Sequence, residues 1–132
     1  MNAHKGAAIG IMLLLGMACS SMPDTSRTGQ IHDVKIIESQ LQPTEVSVRP
    51  GDEVRWLNYR TKPVRIIFLD RLDEALLCER GFSGSGKNDT TIKASKAVSL
   101  CFAKPGQYRY TARMEAEVAG GEIPVAGTVY VQ

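Results

Sequence analysis

Cysteine, histidine and methionine are the residue types in this chain that could bind a soft metal or carry electrons, and they are few. The cysteines are Cys19, Cys78 and Cys101, and the two histidines are His4 and His32. In an exported chain Cys78 and Cys101 would pair as a disulfide. The alternative is a thiolate pair for a soft ion such as Cu(I), with Met114 or Met22 assisting. His32 stands alone beside Ile31 at the start of an alternating run. Such a histidine reads as a hydrogen-bonded strand residue or as one metal ligand. No enzymatic constellation emerges. Ser83, Ser85 and Asp89 share a stretch without a histidine partner, so they form no triad. Asp73/Glu74 and Glu115/Glu117 are paired carboxylates with no geometry for acid–base work. Gly84-Ser85-Gly86-Lys87 lacks the length and setting of a phosphate loop. The chain reads as a non-enzyme.

The elements that must position these residues come from the hydropathy pattern. The 132 residues are 43% hydrophobic and 23% charged, enough for one domain with one core. A formal net charge of +2 without a basic stripe excludes nucleic acid as a partner class. From Ile31 onward the pattern has a period of two: Val46/Val48, Val54/Trp56, Val64/Ile66/Phe68, Val98/Leu100/Phe102, Tyr108/Tyr110 and Val129/Val131. Turn residues fall between the runs at Pro50-Gly51-Asp52, Pro105-Gly106 and Gly120-Gly121. Short alternating strands at this spacing predict an all-β sandwich. One stretch does not alternate: Leu72, Leu76 and Leu77 predict a short helix or loop insertion near 69–89. On the alternation, Cys101 points away from Leu100 and Phe102.

The N-terminus has the order of a secretory signal. Lys5 precedes the apolar stretch from Ala7 to Met17, and Ala18 precedes Cys19. The apolar stretch is too short for a comfortable membrane span. We read residues 1–18 as a signal peptide, 19–30 as a flexible tether and 31–132 as the domain. A coil of that tether's length spans on the order of 20 Å. Leu15-Gly16-Met17-Ala18-Cys19 resembles a bacterial lipobox, with Gly16 where a leucine is usual, which makes Cys19 a lipidation site. The other reading is ordinary cleavage after Ala18. Acylation of Cys19 would leave Cys78 and Cys101 as an even pair. These readings place the chain in the periplasm or cell envelope, held to the membrane by an N-terminal lipid, or else secreted and soluble.

Three groups of residues together resemble the cupredoxin family. Glu45-Val46-Ser47-Val48 with Pro50-Gly51-Asp52-Glu53-Val54-Arg55-Trp56-Leu57-Asn58 is similar to its second and third strands. Lys62 to Phe68 is similar to the strand that opens with the first ligand. Ser99-Leu100-Cys101-Phe102, Pro105-Gly106-Gln107-Tyr108-Arg109-Tyr110 and Ala126 to Val131 complete the pattern. The resemblance implies a Greek-key sandwich over about residues 31–132. In that family two histidines, a cysteine and usually a methionine hold a type 1 copper. Those positions fall here at Val64 and near Glu115 for the histidines, at Ala112 for the cysteine and near Val125 for the methionine. None of the four residue types is retained, so the expected cofactor is none. With His4 leaving in the leader, one histidine cannot supply a two-imidazole site. The resemblance also gathers Arg60, Lys62, Arg113, Met114, Glu115 and Glu117 at the former copper end. That cluster would replace the metal with ion pairs, dock a protein partner, or stand as solvated surface charge. The functional expectation is a binding or assembly module of the envelope. The alternative is a copper-handling or electron-transfer protein with a non-standard site built from sulfur and His32.

Overall fold

Alternating apolar residues bury one face of each strand, and two such faces pressed together make the core. The computed structural model describes residues 24–82, 86–116 and 120–132. Cys19, Met22, Ser83, Ser85, Glu117 and the signal peptide lie outside the described residues.

Ten strands run along the chain: β1 (Ile31–Ile37), β2 (Gln40–Gln42), β3 (Glu45–Val48), β4 (Glu53–Asn58) and β5 (Val64–Phe68), then β6 (Leu76–Arg80), β7 (Asp89–Ile92), β8 (Ala97–Phe102), β9 (Gly106–Glu115) and β10 (Glu122–Val131). They form two five-stranded sheets, ordered β2-β1-β4-β8-β6 and β3-β10-β9-β5-β7. β1 pairs with β4 and β3 pairs with β10 in parallel; the other pairs are antiparallel. The expected all-β sandwich is the observed fold.

Trp56 is fully buried at the centre. Phe68, Phe82 and Tyr110 meet it edge-on, with ring centroids 5.8, 5.8 and 5.6 Å away. Such edge-to-face contacts add to the area that the rings bury. Tyr110 lies opposite Gly127 across the β9–β10 ladder. A Cβ at Gly127 would stand 2.3 Å from the tyrosine ring, so only glycine fits there.

Two expectations need correction. The stretch 69–89 holds no helix among its described residues. Leu72 is buried in a turn, its amide bonded to the Gly86 carbonyl at 2.8 Å. Leu76 and Leu77 belong to β6, where Leu77 faces solvent. The helical spacing of the leucines yields to a sheet edge, because β8 offers β6 a ladder and a covalent bond. The second correction concerns residues 24–30. They read as tether, yet they lie against the first sheet as a strap. Thr25 bonds Glu53, the Arg27 amide bonds the Gly51 carbonyl at 2.9 Å, and Thr28 bonds Asp52. Polar composition signals a coil only where the backbone has no partner, and here the sheet supplies one.

Candidate functional site

Strand parity decides what each mapped position can do. On β5, Val64, Ile66 and Phe68 point inward; on β9, Tyr110, Ala112 and Met114 do the same, and all six are buried. Val64 pairs with Met114 and with Ile92, and Ala112 pairs with Ile66 and Val125. Val125 is partly buried against the same core. Three of the four mapped positions therefore share one interior face, filled by Val64, Ile92, Ala112, Met114 and Val125. Glu115 has the opposite parity and is exposed.

The backbone differs from the expected arrangement too. The cupredoxin resemblance implies a ligand-bearing loop after Tyr110, but β9 continues to Glu115 and forms a hairpin with β10 from Glu122 onward. The main-chain groups of 111–115 are spent on ladder bonds, and alternate side chains point to opposite faces. Aliphatic groups and a lone thioether offer no strong donor set for Cu(II). The residues present do not fit the family's metal. Among the described residues no group of three or more His, Cys, Asp or Glu is placed to hold a metal ion.

The charged cluster at this end forms in part. Asn58 is buried and organises the β4–β5 turn: its Nδ2 donates to the carbonyls of Lys62 (2.9 Å) and Ile92 (3.0 Å), and its Oδ1 accepts from the Arg60 amide (2.9 Å). Arg60 is buried and reaches across to donate to the Glu115 carbonyl at 2.5 Å. Lys62 donates to the Ala116 carbonyl at 3.1 Å and lies 3.5 Å from the Glu115 carboxylate. Arg113 lies 3.8 Å from Glu122 on the outer face, while Met114 is in the core. The turn and the end of β9 are thus tied together by cations on carbonyls. Arg60 is a tie rather than a surface group. Exposed residues at this end include Tyr59, Thr61, Pro63, Arg113, Glu115 and Glu122, with Lys62 half-buried among them. Sequence reasoning missed Tyr59, whose 59% exposure no local pattern announces.

Cys78 and Cys101 form a disulfide. They are register partners on β6 and β8, with Cα atoms 4.9 Å apart, so the bond ties an edge strand to the body of the sheet. Closing a loop of this size stabilises the fold by about 3 kcal/mol in the chain-entropy view. As sequence parity anticipated, Cys101 points to the outer face of its sheet.

His32 sits at the far end of the sandwich, in a groove of about 700 Å³ lined also by Thr28, Gln30, Arg49 and Asp52. Its Nε2 lies 2.9 Å from Asp52 Oδ2. Asp52 is buried, and burial pushes its carboxyl up; the Thr28 hydroxyl, the Arg49 amide and His32 outweigh this and hold it below the ordinary carboxylate value. Among the described residues the sulfurs and His32 do not converge. Cys78 and Cys101 are bonded to each other, Met114 is buried against Val64 near the Arg60 end, and His32 is spent on Asp52.

Glu53, fully buried on the outer face of β4 under Thr25, was also missed. Its parity matches half-buried Arg55 and Leu57, so only the strap could have revealed it.

No family model matches the chain, and no curated protein matches it. Solved structures do. A methionine-to-alanine mutant of amicyanin in its Cu(I) form is 22% identical, covering 84% of this chain and 86% of that one, with a TM-score of 0.56. A proline-to-phenylalanine amicyanin mutant in its reduced state is 23% identical, covering 85% and 97%, with a TM-score of 0.54. At this identity the likeness concerns the fold, which agrees with the two mixed sheets described above: this chain folds as a cupredoxin-like β-sandwich.

Proposed function

We propose that this protein is an exported, lipid-anchored cupredoxin-like module that binds a protein partner in the cell envelope and carries no blue copper centre. The observation that carries this reading is the apolar filling of the former metal end by Val64, Ile92, Ala112, Met114 and Val125. Ligand loss there is matched by a rebuilt backbone, the continuous β9–β10 hairpin. The partner surface is the rim over that end: exposed Tyr59, Arg113 and Glu115 with half-buried Lys62. Cys19 supplies the anchor, which would keep the module at the membrane while it engages the partner.

The test is metal analysis and partner identification on protein purified from the native envelope under mild conditions. The expected result is no stoichiometric copper, no intense blue absorption after Cu(II) is added, and a co-purifying protein lost in the Arg113→Glu variant. Stoichiometric copper, or a blue band, overturns the reading. Metabolic labelling with a radioactive fatty acid tests the anchor separately: label is expected on the native chain and absent from Cys19→Ser, and an unlabelled native chain removes it.

A further inference from the structure

A carboxylate taken out of water is costly unless donors surround it. Glu53 is fully buried, and the strap supplies donors to it: the Thr25 amide at 3.2 Å and the Thr25 hydroxyl at 2.8 Å. Glu53 is the register partner of Cys101 across the β4–β8 ladder. The Thr25 hydroxyl lies 4.0 Å from Cys101 Sγ and 3.4 Å from Ser99 Oγ, and the Thr25 carbonyl lies 3.4 Å from the same sulfur. One hydroxyl therefore joins a buried carboxylate to one sulfur of the disulfide. The two sulfurs also differ in access. Cys101 is fully buried under the strap, whereas Cys78 is half-buried on the edge strand β6, next to a register shift in the ladder.

We propose that Cys78 and Cys101 form a redox-active pair that exchanges with external disulfides and dithiols through Cys78, with Thr25 and Glu53 as the proton relay for Cys101. In the oxidising direction the reduced Cys78, as thiolate, attacks a partner disulfide. A mixed disulfide forms at Cys78 and one partner thiolate leaves. The Cys101 thiol passes its proton through the Thr25 hydroxyl to the Glu53 carboxylate, then attacks Cys78 Sγ. The bond between Cys78 and the partner breaks, and the second partner thiolate departs. Two thiols of this chain have been oxidised to a disulfide, and the partner disulfide has been reduced to two thiols. With a dithiol partner the same atoms run the reaction backwards. Glu53 acts through Thr25, so it is a positioning residue.

The test uses the full chain, reduced under native conditions and reoxidised with oxidised glutathione across a range of pH. Alkylation and mass spectrometry follow the species. The mixed disulfide is expected on Cys78. Glu53→Gln, which keeps the shape of the side chain, should slow ring closure at pH 7 about tenfold. The gap should narrow at high pH, where hydroxide removes the Cys101 proton. Thr25→Val should show the same pH profile, and it decides the matter if Glu53→Gln fails to fold by circular dichroism. Glutathione on Cys101, reduction that needs denaturant, or variants with the wild-type pH profile would each overturn the proposal.

Discussion

Gly127 and Asp52 show how much a single position can decide. Gly127 faces the Tyr110 ring across the hairpin, and any Cβ there collides with ring carbons that are themselves locked against Trp56. Gly127→Ala should lower stability by at least about 2 kcal/mol, as overpacking does, measured by urea unfolding with the slope m unchanged. Asp52 has a carboxyl held below its ordinary value of 3.8. A group depressed in the folded state contributes stability above its unfolded value, and that stability is lost as pH falls through the folded one. Thermal melts should therefore show the wild type losing stability below about pH 4, while Asp52→Asn is less stable at neutral pH and flatter in that range. Neither role was visible in the sequence. Gly127 sits inside an ordinary strand run, and Asp52 read as a turn residue because its partners Thr28 and His32 come from another part of the chain.

Elements here are decided by what they pair with. The β4–β5 turn is held by Asn58, whose amide gathers carbonyls from the turn itself and from the end of β7. Asn58→Ala would leave those buried carbonyls short of a donor, costing about 1–3 kcal/mol. Amide exchange in residues 59–62 should quicken by the corresponding factor, with the core strands little changed. The strands themselves were legible from period-two alternation, since each half-buried strand carries its own signal in Val, Ile, Trp or Tyr. Two elements were not. β6 carries leucines at spacings a helix would also accept, and the choice is made by β8, more than fifteen residues later in the chain. The strap has no apolar signal at all. Its backbone is ordered by Gly51, Asp52 and Glu53, groups whose need for partners appears only once the sheet exists.

At the scale of the molecule, one covalent link ties an edge strand into a sandwich whose core is otherwise continuous. The double variant Cys78→Ser/Cys101→Ser should lose about 3 kcal/mol of stability. Chemical denaturation should detect this as a lower midpoint, with the larger slope expected when the unfolded chain is no longer cross-linked. The sequence alone determined the sandwich, and it places Val64, Ala112, Glu115 and Val125 where the cupredoxin resemblance expects copper ligands. Alternation is local, and residue identity at a given position does not depend on any fold. It also put Arg60, Lys62 and Glu115 at one end, through the resemblance. Only the tertiary structure decided that Arg60 is a buried tie and that residues 111–115 continue β9 into a hairpin with β10. It alone decided that Glu53 lies under Thr25 beside the disulfide. The physical reason is common to all three. Each depends on a hydrogen-bond partner or a ladder from a distant segment, and one strand's pattern of apolar residues carries no record of what will cover its other face.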